Sequence, residues 1–271
     1  RDSDPCAHAR GHKGVSSGSN RAAAAVPQLG SYTIACHSTW LMVFDKQAPT
    51  SRPNPFDATR VMVHRRRMFQ TLDPDTLPPR EMYQHMISFI TPRPIAWVST
   101  VSPEGVTNLA PFSFFQGITA KPPTVLFCPV NDREGKPKDS LRNVEATGEF
   151  VVNIVDFAHA APMNATSAPL PFGESEFDKF GIASTASTKV KPPRVATAPV
   201  ALECVLHQIV RVGEGPLGGN IVIGRIVLVH IDERVRGADG LCDPAKLDTI
   251  ARLGGDGYAR TTERFTVVRP G

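Results

Sequence analysis

The chain has 271 residues, 41% of them hydrophobic and 21% charged, with a formal net charge of +4. This carries enough apolar material for one sizeable core and excludes a fully disordered chain. Apolar runs fall short of the roughly 18–20 residues of a membrane helix; the run at 221–231 is broken by Arg225. Five cysteines with no CxxC pair suggest neither a disulfide framework nor a zinc site. The expectation is a reduced, soluble, cytoplasmic protein with no metal and no membrane partner.

The charge is uneven. Residues 1–67 hold ten Lys and Arg against four Asp, a net of +6. The other 204 residues hold 20 bases and 22 acids, a net of −2, so no basic surface for nucleic acid is expected in the body. The leading 67 residues are rich in Ala, Ser, Pro, Arg and Gly and show no sustained period. Three readings fit them: a disordered or non-native extension, an organelle-targeting segment, or a basic arm built on Arg65, Arg66 and Arg67. The first is preferred, because this composition buries too little surface to offset the entropy of ordering. Met68 opens a more regular stretch and is read as a natural start, so the domain is taken as 68–271.

From there the elements follow one another closely. Pro78 and Pro79 precede a short helix at 80–87. Residues 94–101 are apolar and β-rich, 102–105 (Ser-Pro-Glu-Gly) are a turn, and 106–118 are a second extended run, which together predict a hairpin. A third strand is expected at 124–129 and a helix at 138–146, closed by Gly148. Residues 150–155 form an apolar strand, with short helices at 157–165 and 174–180. Two long β runs, 201–212 and 220–231, are joined by a glycine-rich turn, and 243–250 form a last short helix. Tight turns between strands, with few intervening helices, argue for a mainly β antiparallel barrel or sandwich rather than a βαβ repeat.

Some motifs carry no chemistry. Gly213-Glu-Gly215-Pro-Leu-Gly218 spells a dinucleotide fingerprint, but a β run follows it where a helix is required, so it reads as a hairpin turn. His159, His207 and His230 lack metal-ligand spacing. Cys128, Cys204 and Cys242 have no nearby basic partner, and the first two read as small buried residues. No catalytic side chain is assigned.

Two stretches can carry chemistry. In Thr91-Pro-Arg-Pro-Ile-Ala-Trp-Val-Ser-Thr100 and Asn108-Leu-Ala-Pro-Phe-Ser-Phe-Phe115, small residues alternate with aromatics. Alternation sends Ile95, Trp97 and Ser99 to one face and Ala96, Val98 and Thr100 to the other. Small positions let a flat ring approach the backbone, and aromatics wall it from water; Pro94 and Pro111 free backbone groups from the ladder. Core packing accounts for the same pattern. In the second stretch, residues 133–140, Asp139 or Ser140 is expected to cap the following helix, whose free N–H groups and dipole, with Lys138, make an anion site. An ordinary capped surface helix accounts for that pattern too.

Arg93-Pro-Ile-Ala-Trp-Val-Ser-Thr100, Asn108-Leu-Ala-Pro-Phe-Ser-Phe-Phe115, Lys138-Asp-Ser-Leu-Arg-Asn143, Gly148-Glu-Phe-Val-Val-Asn153 and Met163-Asn-Ala-Thr-Ser-Ala-Pro169 occur in that order, followed by Ala201-Leu-Glu-Cys204 and Arg252-Leu-Gly-Gly-Asp-Gly-Tyr258. This ordered set, spanning about residues 70–268, resembles the flavin reductase-like, FMN-binding split-barrel family. The resemblance implies a six-stranded antiparallel Greek-key split β-barrel, a homodimer and bound FMN, with a monooxygenase as a possible partner. It implies that Arg93, Pro94, Ala96 and Ser99 lie along the flavin. Asn108, Ala110, Pro111, Phe112, Ser113 and Phe114 would frame its ring and ribityl chain, and Lys138, Asp139 and Ser140 would meet its phosphate. Ser140 stands where the family more often has Thr. Asn164 and Tyr258 are weaker candidates for the mouth of the site, with no role assigned. The implied activity is hydride transfer from NADH or NADPH to flavin. Its rivals are a self-contained FMN flavoprotein, either a carrier or an oxidase, and a non-enzymatic flavin-binding protein.

Overall fold

The computed structural model describes residues 69–171 and 173–270; the leading segment 1–67 and the candidate start Met68 lie outside the described residues. Helix α1 (Pro79–Phe89) leads into β1 (Ala96–Val101) and β2 (Thr107–Phe112). The turn between these strands is closed by hydrogen bonds from Ser102 N–H to the Val106 carbonyl (2.8 Å) and from Gly105 N–H to the Ser102 carbonyl (2.9 Å). Next come β3 (Phe115–Ala120), β4 (Pro123–Phe127), α2 (Asp139–Thr147) and β5 (Glu149–Ile154). Short helices α3 (Ala160–Ala165) and α4 (Glu176–Lys179) and two-residue strands β6 (Ser184–Thr185) and β7 (Arg194–Val195) precede the long hairpin β8 (Val200–Val212) and β9 (Gly219–Ile231). Helix α5 (Pro244–Leu247) and the hairpin β10 (Ile250–Arg252) and β11 (Tyr258–Arg260) end the ordered elements.

The main sheet has seven strands, one more than expected, in the order β2-β1-β5-β8-β9-β4-β3, with every neighbouring pair antiparallel. The extra strand arises because the run expected at 106–118 breaks at Ser113 and Phe114. Strand β2 ends on one edge of the sheet and β3 begins on the other. Two residues span at most about 11 Å between the flanking Cα atoms, so the edges must approach and the sheet must curl. Among the described residues no strand ladder closes the seam. Packing closes it: Phe112 meets Phe127 with ring centroids 5.0 Å apart, and Phe127 meets Phe150 at 5.2 Å. Ala96, Val98, Val152, Cys204 and Val222 fill the same interior, and α2 adds Leu141 and Val144. A side chain at Gly224 would lie 2.2 Å from the Phe150 ring, so that strand position must be glycine.

The outer face of β1 and β2 builds a second core from Ile95, Trp97, Leu109, Val155, Met163, Phe177, Val195 and Ile250. The alternation expected along β1 is therefore the one observed. Residues 213–218 are the turn between β8 and β9, as the sequence indicated. Gly148 adopts φ +72° and ends α2. The helix expected at 157–165 begins as a 3₁₀ turn, Phe157–His159, capped by Asp156. The helix expected at 174–180 forms only as α4, and the one at 243–250 stops early because Asp248 takes φ 48°.

Residues 184–195 form a strap over the outer face, held by side chains of the barrel. The Ser99 hydroxyl donates to the Pro193 carbonyl (2.5 Å), and Asn153 accepts from Val195 N–H (2.9 Å) while donating to the Trp97 carbonyl (3.0 Å). Glu203, with 0% exposure, accepts from the N–H groups of Thr188 (2.7 Å) and Lys189 (2.6 Å) and lies 2.6 Å from His230 Nε2. Burial pushes this carboxyl up, but the Thr188 N–H, His230 and the Lys189 N–H outweigh it and hold it below the usual carboxylate range.

A carboxyl depressed in the folded state stabilises the fold fully above its unfolded pKa of about 4.3, and that contribution is lost as the pH falls through the lower folded value. Glu203→Gln is expected to cost about 1–3 kcal/mol at pH 7, because one backbone donor loses its acceptor. Urea unfolding at pH 7 and at about pH 3.5 checks this: the gap to the wild type should narrow in acid, and a gap independent of pH would refute it.

Candidate flavin site at the barrel seam

Arg93 anchors the seam. Its backbone exchanges two hydrogen bonds with Arg252, 3.0 and 2.8 Å, in an antiparallel bridge. The residue is 4% exposed, and its guanidinium donates to the carbonyls of Ile87 (2.9 Å), Ile90 (2.6 Å) and Leu253 (2.9 Å), with Nε 3.4 Å from Ser113 Oγ. Ile87 and Ile90 lie at the C-terminal end of α1, where unsatisfied carbonyls and the helix dipole favour a cation. The charge also lies 5.8 Å from the Phe114 ring centroid, and Phe114 meets Tyr83 edge-on at 6.5 Å. Burial lowers the Arg93 pKa, Tyr83 raises it and Arg252 lowers it. The corner between β2 and β3 is thereby tied to α1 and to the turn after β10.

The second part of the site is the start of α2. The expected cap at Asp139 or Ser140 is not the one formed: the N-cap is Lys138, with no side-chain hydrogen bond to the first turn. Lysine has no acceptor atom and cannot satisfy the first N–H groups of the helix. The Lys138 ammonium is exposed and makes no ion pair among the described residues. Asp139, in the first turn, lies 3.9 Å from Arg142. Ser140 points inward instead, and its oxygen accepts from Asn108 Nδ2 at 2.9 Å. Asn108 Nδ2 also donates to Thr100 Oγ1 (3.2 Å), which accepts from Asn143 Nδ2 (3.0 Å). Both amides point their donors at hydroxyl oxygens, so the Ser140 proton keeps no acceptor among the described residues.

Beside this cluster lies a cavity of about 270 Å³, lined among others by Thr107, Asn108, Asn143, Glu104, Asp139 and Glu174. Burial pushes the Asp139 carboxyl up, against the pull of Arg142. Burial also raises Glu176, which accepts from Leu109 N–H (2.8 Å) and feels the Asp139 charge. The Cys204 thiol, inside the barrel, is pushed up to about 12 by burial and then by Glu203, which makes it a packing residue rather than a nucleophile.

The structure sorts the residues singled out in the sequence into groups. Arg93, Ser113 and Phe114 meet at the seam, and Asn108 meets Ser140 at the start of α2, next to Lys138 and Asp139. Ala96, Ala110 and Phe112 pack in or against the barrel interior, Ala96 with 0% exposure. Pro94 is exposed. Ser99 lies on the opposite face of β1 from Ala96, fully buried, with its hydroxyl engaged by the strap. Pro111 pairs with Trp97 on the edge strand β2, where a missing N–H is tolerated. Thr100 and Asn143 complete the polar cluster and were not singled out, although each ends a motif quoted above. Tyr258 does reach Asn164, its hydroxyl donating to Oδ1 at 3.0 Å. Among the described residues no group of His, Cys, Asp and Glu could hold a metal ion, and no helix is long and apolar enough to cross a membrane.

The chain as a whole is similar to known proteins. YwrF, an uncharacterized protein of Bacillus subtilis, is 37% identical over 199 residues, covering 72% of this chain and 97% of that one. Component B of the nitrilotriacetate monooxygenase of Bacillus cereus is 33% identical, with a TM-score of 0.71 over 74% of this chain and 100% of its own. The 2-nitrobenzoate 2-nitroreductase NbaA of Pseudomonas fluorescens is 29% identical, with a TM-score of 0.67 over 74% of this chain and 96% of its own. The model of the flavin reductase like domain matches residues 88–248, which span the seam, α2 and the long hairpin, and the chain belongs to that family.

Proposed function

We propose that residues 68–271 form an FMN-dependent oxidoreductase, in first place an NAD(P)H:flavin reductase working as a cytoplasmic homodimer. The observation that carries this reading is the start of α2. Among the described residues its first N–H groups have no capping side chain, Lys138 makes no ion pair and the Ser140 hydroxyl keeps a proton to donate. Those are the donors a phosphate monoester needs. Asn108 fixes the Ser140 oxygen, and the exposed Pro94 with Ser113 and Phe114 offers a flat, partly apolar edge for a ring. Ala96, Ala110 and Phe112 support that edge from inside the barrel, while Ser99 and Pro111 fix the strands.

FMN, when bound, would supply a two-electron acceptor for hydride from a nicotinamide. The protein's part is to bind, orient and exclude water, and no acid or base from this chain is required. Likeness to component B of a monooxygenase supports an oxygenase as the acceptor of the reduced flavin. Likeness to a nitroreductase supports the second reading, in which the bound flavin reduces a substrate directly. Anaerobic NADH or NADPH added to the FMN-loaded protein separates them. Prompt bleaching with exchangeable flavin favours the first reading, whereas bleaching with tightly held flavin, reversed by a nitroaromatic, favours the second.

Two cations give contrasting predictions. Lys138→Ala should weaken FMN binding by about 1–3 kcal/mol, seen in flavin fluorescence titrations, with no change in melting temperature. Arg93→Lys should lower stability by roughly 2–4 kcal/mol even without FMN, because one ammonium cannot serve carbonyls from two elements and Ser113 together. Unchanged FMN affinity in the first variant would remove Lys138 from the phosphate site.

A further inference from the structure

Arg252 stands directly opposite Arg93, and the pair exchanges both backbone hydrogen bonds. Such a pair holds its Cα atoms about 5.5 Å apart with both side chains on one side of the ribbon. Like charges so placed repel, and the repulsion appears in the downward pull of Arg252 on the Arg93 pKa. The Arg93 charge is absorbed by carbonyl oxygens. The Arg252 charge is not: its guanidinium lies over the Tyr258 ring, 4.6 Å from the centroid, and makes no ion pair or side-chain hydrogen bond among the described residues. The neighbouring Arg260 shows the alternative. It lies 4.1 Å over Phe157 and is also held by both Asp248 oxygens, at 2.7 and 2.6 Å.

Among the described residues the two guanidinium groups thus have no carboxylate partner, and the second is half-exposed. Tyr258 covers one face of Arg252 and is itself held by Asn164 Oδ1, which leaves the Asn164 amide N–H₂ as a further donor. The planar fork of an arginine matches a carboxylate or a phosphate in two-point contact. We propose that Arg252, with Tyr258 and Asn164, binds an oxyanion: the phosphate or carboxylate of the molecule that exchanges electrons at the seam. The role in electron exchange rests on the flavin reading above; the anion site rests on the two arginines alone.

The test is isothermal titration calorimetry on wild type and variants, with and without FMN, using 2′,5′-ADP as the phosphate probe and benzoate as the carboxylate probe. One of the two should bind, more weakly as NaCl is raised. Arg252→Gln should lower that affinity by about tenfold or more, the loss of a two-point charged contact. Arg252→Lys should recover part of it, and Arg260→Gln, a charge already neutralised, should leave it unchanged. FMN affinity should be the same in Arg252→Gln as in the wild type. Binding of neither probe, equal binding by Arg252→Gln, or an equal loss in Arg260→Gln would overturn the proposal. Should Arg252→Gln fail to fold, the salt dependence of the wild type and the Arg252→Lys affinity decide it. Failure of the wild type to bind FMN while Arg252 still governs the probe would sink the flavin reading and keep the anion site.

Discussion

A two-residue link between opposite edges of one sheet is the constraint on which the rest of this structure depends. Ser113 and Phe114 join β2 to β3, and a link that short forces a seven-stranded sheet to roll up. The interior must then be filled across a seam that has no hydrogen-bonded ladder. Phe112, Phe127 and Phe150 do this as a run of tilted and edge-on rings, and Gly224 leaves room for the last of them. The corner at Ser113 and Phe114 lies between the two edges, with the Phe114 carbonyl still accepting from Cys128 N–H at 2.9 Å. Arg93 holds that corner by reaching the end of α1, the turn after β10 and Ser113 at once. A buried cation needs such partners, since a guanidinium without them costs several kcal/mol.

The two faces of β1 and β2 have different duties. The inner face is apolar through Ala96 and Val98 and turns polar at Thr100, where Asn108, Asn143 and Ser140 converge. The outer face packs Trp97 and is sealed by the strap, which Ser99, Asn153 and Glu203 fasten through backbone groups rather than through side chains of the strap. The strap also buries Val190 and Val195 against the barrel, so polar fastening by backbone is joined to apolar packing. At the start of α2 the order is reversed. A capping side chain there would stabilise the helix by about 1 kcal/mol, and lysine forgoes it. On the reading proposed above, a bound anion would offset that cost.

Much of the fold could be read along the chain, because it is local. The β1–β2 hairpin follows from Ser102 to Gly105, the two faces of β1 from alternation, and the rejection of the glycine motif at 213–218 from the strand behind it. The break at Ser113 could not be read, since apolar character continues through it; what divides the run is that its second half pairs with β4. The polar cluster was half legible. Asn108 and Ser140 stood out, but Thr100 and Asn143 matter only because three segments converge on one hydroxyl. Ser99 was misleading in the opposite sense, a hydroxyl in the right motif that serves the strap. Arg252 was hidden for the plainest reason: the backbone it pairs with lies about 160 residues earlier, and no local pattern marks two arginines that will face each other.

Electrostatics makes the local arrangement decisive. Outside the first 67 residues the chain carries a net charge of −2, so the overall field does not draw an anionic ligand to the body. The cavity beside α2 is bordered by Glu104, Asp139 and Glu174, which would repel one. Affinity for an anion must therefore come from short-range donors that outcompete those carboxylates. Burial pushes the Asp139 carboxyl up, against the pull of Arg142. The donors are then well separated in kind: the uncapped N–H groups of α2 with Lys138 and Ser140 at one place, and Arg252 over Tyr258 at another. Among the described residues neither Lys138 nor Arg252 makes an ion pair, whereas Arg260, Arg234 and Arg236 each do. On the readings proposed above, these two sets of donors are where an anionic cofactor and an anionic co-substrate would be held.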